Sequence, residues 1–210
     1  MRAFYGPLPA PPPLPFAVYI WEVLSVAARP ARRDAAFGAL KRIPALTADA
    51  VARLPQAKLE GAVGLAGPRK EERIRALRAG ADLFRRDTSL EAAFGGPFRH
   101  ALRAVRRLPH IGRASSLRLL LFAGQHRVLP LDEDALRVAL RLGYGRDAGT
   151  AARAISLARQ ALLRESGRDA GVLRTVAQYL THHGLATCTE AAPHCGVCPL
   201  APDCPWLRRQ

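Results

Sequence analysis

The chain has 210 residues and a mass of 22.7 kDa, enough for one domain or two small ones around a sizeable core. Apolar residues make up 49% and charged residues 23%, which excludes a disordered chain, and no stretch reaches the roughly 20 apolar residues of a spanning helix. Lys and Arg total 32 against 17 acidic residues, giving +15 and a pI near 11.1, an excess that points to a polyanion, nucleic acid first and a membrane surface second.

Residues 1–15, MRAFYGPLPAPPPLP, form a Pro-rich arm that is predicted to hold no helix. Its prolines fall where a secretion signal needs an apolar run, so no secretion is expected. From Phe16 onward the pattern is helical almost throughout. FAVYIWEVLSVAA (16–28) is apolar nearly all round and carries a single acid, Glu22. In KEERIRALRAGADLF (70–84), Ile74, Leu77, Ala81 and Phe84 recur at helical spacing, with the arginines expected on the opposite face. Phe98, Ala101, Leu102 and Val105 make the next stripe, with Arg99, Arg103, Arg106 and Arg107 elsewhere. The turn LPHIG (108–112) leads into a helix from RASSLRLLLFAG (113–124). LDEDALRVALRLG (131–143) starts with Asp132 at an N-cap, and Glu133 and Asp134 follow in its first turn. Two more helices fit 148–165 and 172–183. No run alternates as a strand does, so the expected fold is all-α.

Cys188, Cys195, Cys198 and Cys204 close the chain as C-x6-C-x2-C-x5-C. Two local disulfides are one reading. A sizeable core already precedes the cysteines, so four thiols in one short loop argue for metal ligation instead. Zinc and an iron–sulfur cluster both remain open, although structural zinc usually pairs two short knuckles and clusters accept less regular spacing. Trp21 and Trp206 read as core or lobe-surface aromatics. His182, His183 and His194 flank the loop in structural or surface roles.

LRAVRRLPHIGRASSLRLLLF reads as helix, tight turn, helix. Such a turn leaves the first N–H groups of its second helix free for a phosphate, and Arg113, Ser115 and Ser116 can add donors. A structural turn between packed helices is the alternative.

The hairpin, the apolar helix after it, an Asp at a helix start and four terminal cysteines follow one order. Together with PFAVYIWEVLS (15–25), VGL (63–65), LPHIGR (108–113) and LDEDALRV (131–138), that order resembles the helix–hairpin–helix DNA glycosylases of the endonuclease III group across about residues 16–206. The resemblance implies a two-lobed helical fold: an arm over 1–15, a six-helix lobe over 16–125 and a cluster lobe over 126–210. The family's N-terminal helix in the cluster lobe is expected to be missing, replaced by the arm. It also implies a [4Fe-4S] cluster on the four cysteines, double-stranded DNA with a damaged or mismatched base as partner, a monomer, a cytoplasmic, nucleoid-associated location and no membrane.

Enzymes of this group extrude a base and break its N-glycosidic bond, which builds positive charge on the sugar. The resemblance places Asp132 at the essential aspartate; a plain helix cap is its other reading. The lyase lysine of bifunctional members falls on Ala114, so no Schiff base is expected there. Glu22 takes the place of the mismatch enzymes' catalytic glutamate, and buried alone its pKa would rise toward that of a general acid. Pairing with an arginine is the alternative. Leu108, His110, Ile111, Gly112, Arg113 and Ser115 are the hairpin's expected DNA contacts. Leu65 falls at the wedge position or in the core. Three positions depart from the pattern. His110 replaces the first hairpin glycine, where a positive φ would strain it. The loop CTEAAPHC carries no basic DNA contact, and VAA (26–28) offers no polar probe. A catalytically silent DNA-binding protein and a bifunctional endonuclease III are the competing functions.

Overall fold

The structure is a computed structural model that describes residues 1–43, 46–146 and 148–209. Every regular element among them is helical, with no strand. None of these helices is long and apolar enough to cross a membrane. The chain divides into two compact units, residues 11–126 and residues 1–10 with 127–210.

The 11–126 unit contains α2 (Pro15–Ser25), α3 (Pro30–Lys41), α4 (Ala48–Arg53), α5 (Gln56–Gly64), α6 (Lys70–Arg86), α7 (Ser89–Ala93), α8 (Phe98–Val105) and α9 (Arg113–Phe122). Six of these helices run eight residues or more; α4 and α7 are shorter. Pro15 opens α2 at a position where its missing N–H costs nothing. Phe16 through Leu24 are all buried, so α2 is the central helix, packed against α3, α6 and α9. Gly80 permits the close crossing with α6. A Cβ there would stand 2.2 Å from the Tyr19 ring, whose hydroxyl donates to Ala76 O at 2.6 Å. Arg73 of α6 lies on the buried face at 2% exposure, which corrects the expectation that the arginines of this helix face away.

The second unit holds α1 (Arg2–Tyr5), α10 (Glu133–Arg141), α11 (Ala151–Ser166), α12 (Ala170–Ala186) and three short 3₁₀ turns around the cysteines. The helix in the arm overturns the expectation of none. RAFY precedes the first proline, Pro7, and proline bars a helix only at and just before itself. Tyr5 anchors it: its hydroxyl lies 2.6 Å from both His183 Nδ1 and Thr187 Oγ1. Tyr179 donates to Gly6 O at 2.6 Å. Gly184 brings α12 onto α10, since a Cβ there would meet Asp134 at 2.8 Å. That contact sets the neighbours of Asp132.

Candidate functional site

In the hairpin, His110 has φ 60°, the left-handed region that suits glycine and costs other residues about 1 kcal/mol. Its Nδ1 lies 3.2 Å from Glu72 Oε1 on α6. The imidazole is therefore directed at a carboxylate. Gly112 and Arg113 are exposed, Ile111 and Ser115 half-buried. Two expectations need correction. Leu108 is only 3% exposed, a core residue with no side chain to offer a ligand. Ser116 is fully buried, and its hydroxyl donates to Gly112 O at 2.8 Å within its own helix. No side chain caps α9. Its first N–H groups face outward without a helix partner, as the start of any helix leaves them.

Asp132 caps α10: Oδ1 accepts from Ala135 N at 2.8 Å. Oδ2 accepts from Thr181 Oγ1 at 2.9 Å. Cap and candidate catalyst are the same half-buried carboxylate, with Ala135 N and Thr181 Oγ1 among the donors to its oxygens. In the other unit Glu22 is 2% exposed, and both its oxygens accept from Arg118 Nε, at 2.9 and 3.0 Å. The isolation from which a raised pKa was expected is absent; Glu22 is ion-paired. Ala114 sits half-buried in the first turn of α9. Leu65 follows α5 and is 47% exposed, so it is no core leucine. Ala27 is exposed and left-handed at φ 51°.

The four cysteines are half-buried free thiols, with no disulfide. All four line one pocket with Val138, Leu142 and Leu207, with an empty volume of about 380 Å³, part of it open to solvent. Donors reach the sulfurs from several sides: Leu200 N to Cys198 at 3.4 Å, Arg141 Nη1 to Cys188 at 3.3 Å, and His183 Nε2 3.6 Å from Cys198. Among the described residues no three His, Cys, Asp or Glu side chains converge as a single ion requires.

Arg118, Thr181 and Glu72 were not singled out from the sequence. Arg118 carried a signal. It is the lone charge in SSLRLLLF, as Glu22 is in FAVYIWEVL, and two lone charges in apolar helices need each other. Thr181 and Glu72 carried none.

No protein-family model and no curated protein sequence matches the chain. Solved structures do. A trapped covalent intermediate of endonuclease III with DNA, in an estranged-adenine complex, aligns with a TM-score of 0.68 at 19% identity, covering 93% of this chain and 85% of that one. A non-covalent endonuclease III–DNA complex aligns at 0.69 with the same identity and coverage. A thermostable thymine-DNA glycosylase aligns at 0.72 and 15% identity, over 94% and 86%. This chain has the endonuclease III fold. Identities this low carry the fold alone. Within the endonuclease III fold, what this chain does rests on its own residues.

Proposed function

We propose that this chain is a base-excision glycosylase that hydrolyses the N-glycosidic bond of a flipped, damaged or mismatched base and leaves the strand intact. The observation that carries the reading is Asp132, a carboxylate fixed by two hydrogen bonds at the start of α10, in a fold shared with endonuclease III seen on DNA. A carboxylate held in advance stabilises the positive sugar of the transition state without reorganising. The charge of +15 and the uncapped start of α9 supply the phosphate contacts, with Gly112, Arg113 and Ser115 nearest. Glu22 is the second acid. Paired with Arg118 it carries no proton, so it serves the leaving base as an acid only after the pair opens and the carboxylate takes up a proton from water. Ala114 offers no nucleophile, so water completes the reaction.

Cys188, Cys195, Cys198 and Cys204 fit a [4Fe-4S] cluster, whose four thiolates sit on four different irons. The C-x6-C-x2-C-x5-C spacing, less regular than the paired short knuckles of structural zinc, and the gathering of all four thiols at one pocket support this reading. Such a cluster would tie the end of the chain to α10 and α12 and contribute its binding energy to folding.

Single-turnover assays on G·U, G·T, A·8-oxoguanine, oxidised and alkylated duplexes test the activity. We expect abasic product that nicks only after alkali and no borohydride-trapped adduct. Nicking without alkali, with a trapped adduct, overturns the hydrolytic mechanism. Tight, salt-sensitive binding with no excision on any duplex would favour the silent DNA-binding reading, which the His110–Glu72 contact in the hairpin motivates. For the cluster, about four irons per chain with broad absorption near 400 nm are expected; colourless protein with one zinc overturns it.

A further inference from the structure

Arg73 is among the largest side chains sealed inside the 11–126 unit, at 2% exposure. Its hydrogen bonds run to backbone carbonyls: Nη2 donates to Val26 O, and Nη1 to Pro68 O and to Gly67 O, the last at 3.2 Å. Its Nε is buried without a partner. Burial lowers its pKa, as expected for a cation taken out of water without a bonded carboxylate. Such burial is costly, and a cap for one loop would need no more than a neutral donor.

The position of the carbonyls explains what the guanidinium does. Val26 ends α2 and precedes Ala27; Gly67 and Pro68 join α5 to α6 just after Leu65. These two segments lie 47 residues from Arg73 and five to six residues from it, respectively. Both carry left-handed backbone: Ala27 at φ 51°, Gly67 at 92° and Arg69 at 65°. Both end in exposed residues, Ala27 and Leu65, of which only Leu65 is large and apolar. A planar fork of donors is the one side chain that can hold carbonyls of two separate segments at fixed spacing.

We propose that Arg73 is a positioning residue that locks the Val26–Ala27 turn and the Leu65–Pro68 loop into one DNA-facing edge, so that Leu65 can enter the space a flipped base leaves. Apolar wedges of this kind unstack a base step, and they work only when their backbone does not yield. The use of Leu65 rests on the glycosylase reading; the coupling of the two segments does not.

Two measurements separate these claims. Native-state hydrogen exchange of the wild-type protein, followed at the bonded amides of Ala28, Ala66 and Gly67, should show one shared opening with one denaturant slope. In Arg73→Lys, or in Arg73→Gln should the lysine variant not fold, exchange at all three amides should rise together by at least about tenfold, because a point charge cannot span both segments. Independent openings in the wild type, or loss of protection on one segment alone, overturn the coupling. The second measurement follows 2-aminopurine fluorescence beside a mismatch. Arg73→Lys and Leu65→Ala should each reduce the wild-type increase severalfold, and the double variant should lose no more than Leu65→Ala alone. Additive losses overturn the positioning role. A wild-type protein that binds duplex yet never raises the signal overturns the glycosylase reading and the use of Leu65, and leaves the coupling to the exchange result.

Discussion

Glu22 lies mid-helix in α2 among apolar neighbours, 2% exposed, and its oxygens are met by the cation Arg118. Asp132 lies half-exposed at the first turn of α10, where a backbone N–H and the Thr181 hydroxyl are among its partners. The difference follows from what each backbone can offer. Inside a helix every N–H is already bonded, so a buried acid must find a side chain, and the cost of its charge calls for a cation. At a helix start the N–H groups are free, so a carboxylate is satisfied locally. The state of Glu22 therefore hangs on a residue 96 positions away, whereas Asp132 takes one bond from its own helix and another from Thr181 of α12.

Substitutions can break this comparison. The largest effect is expected from Arg118→Ala, which leaves Glu22 buried without its cation and should lower the stability of the 11–126 unit by about 3 kcal/mol or more. Adding Glu22→Gln should recover part of that loss. Urea unfolding measures both, and a loss below about 1 kcal/mol would show the pair to be solvated. Asp132→Asn separates chemistry from capping. Asn caps as well as Asp, so thermal unfolding should barely move, while single-turnover excision should fall roughly 100- to 1000-fold. Full excision in that variant would reduce Asp132 to a cap.

Thr181→Val removes one donor from Asp132 at nearly constant shape. A slowing of excision worth about 1 kcal/mol is expected, with Thr181→Ser restoring it and product affinity unchanged. An equal loss in both variants would mean that packing, not the hydroxyl, matters. The smallest effect concerns a half-buried acid near the surface. Hydrogen bonds from Ser89 and Arg107 hold the Asp87 carboxyl below its usual range. A carboxyl lowered in the folded state stabilises above its unfolded pKa, and that contribution disappears as pH falls through the folded value. Asp87→Asn should thus cost a little stability near neutral pH, and the gap from wild type should close as pH falls through the lowered folded-state value. A gap that stays constant from neutral to acid pH would assign the effect to the turn.

Much of the fold was legible because its signals are short. The stripe of Ile74, Leu77, Ala81 and Phe84 appears as α6, and the Asp–Glu–Asp start at 132–134 appears as a capped helix. His110 takes the positive φ expected of a glycine position. The arm was misread because proline content was averaged over fifteen residues, when Arg2–Tyr5 contains none. Ser116 and Leu108 were misplaced for a related reason. Periodicity assigns a residue to a helix but does not say how deeply a turn is sunk in its unit.

The sequence alone determined the helical class, the cap at Asp132 and the spacing of the cysteines. Each depends on residues within a turn or two, where backbone geometry dictates the partner. Only the tertiary structure decided the partners of the chemical groups: Arg118 for Glu22, Thr181 for Asp132, Glu72 for His110, and the carbonyls that Arg73 holds. Apart from Gly67 and Pro68, those partners lie tens of residues apart in sequence. What brings them together is close helix packing, at contacts such as Gly80 against Tyr19 and Gly184 against Asp134, where the absence of a single Cβ sets how near two helices can come.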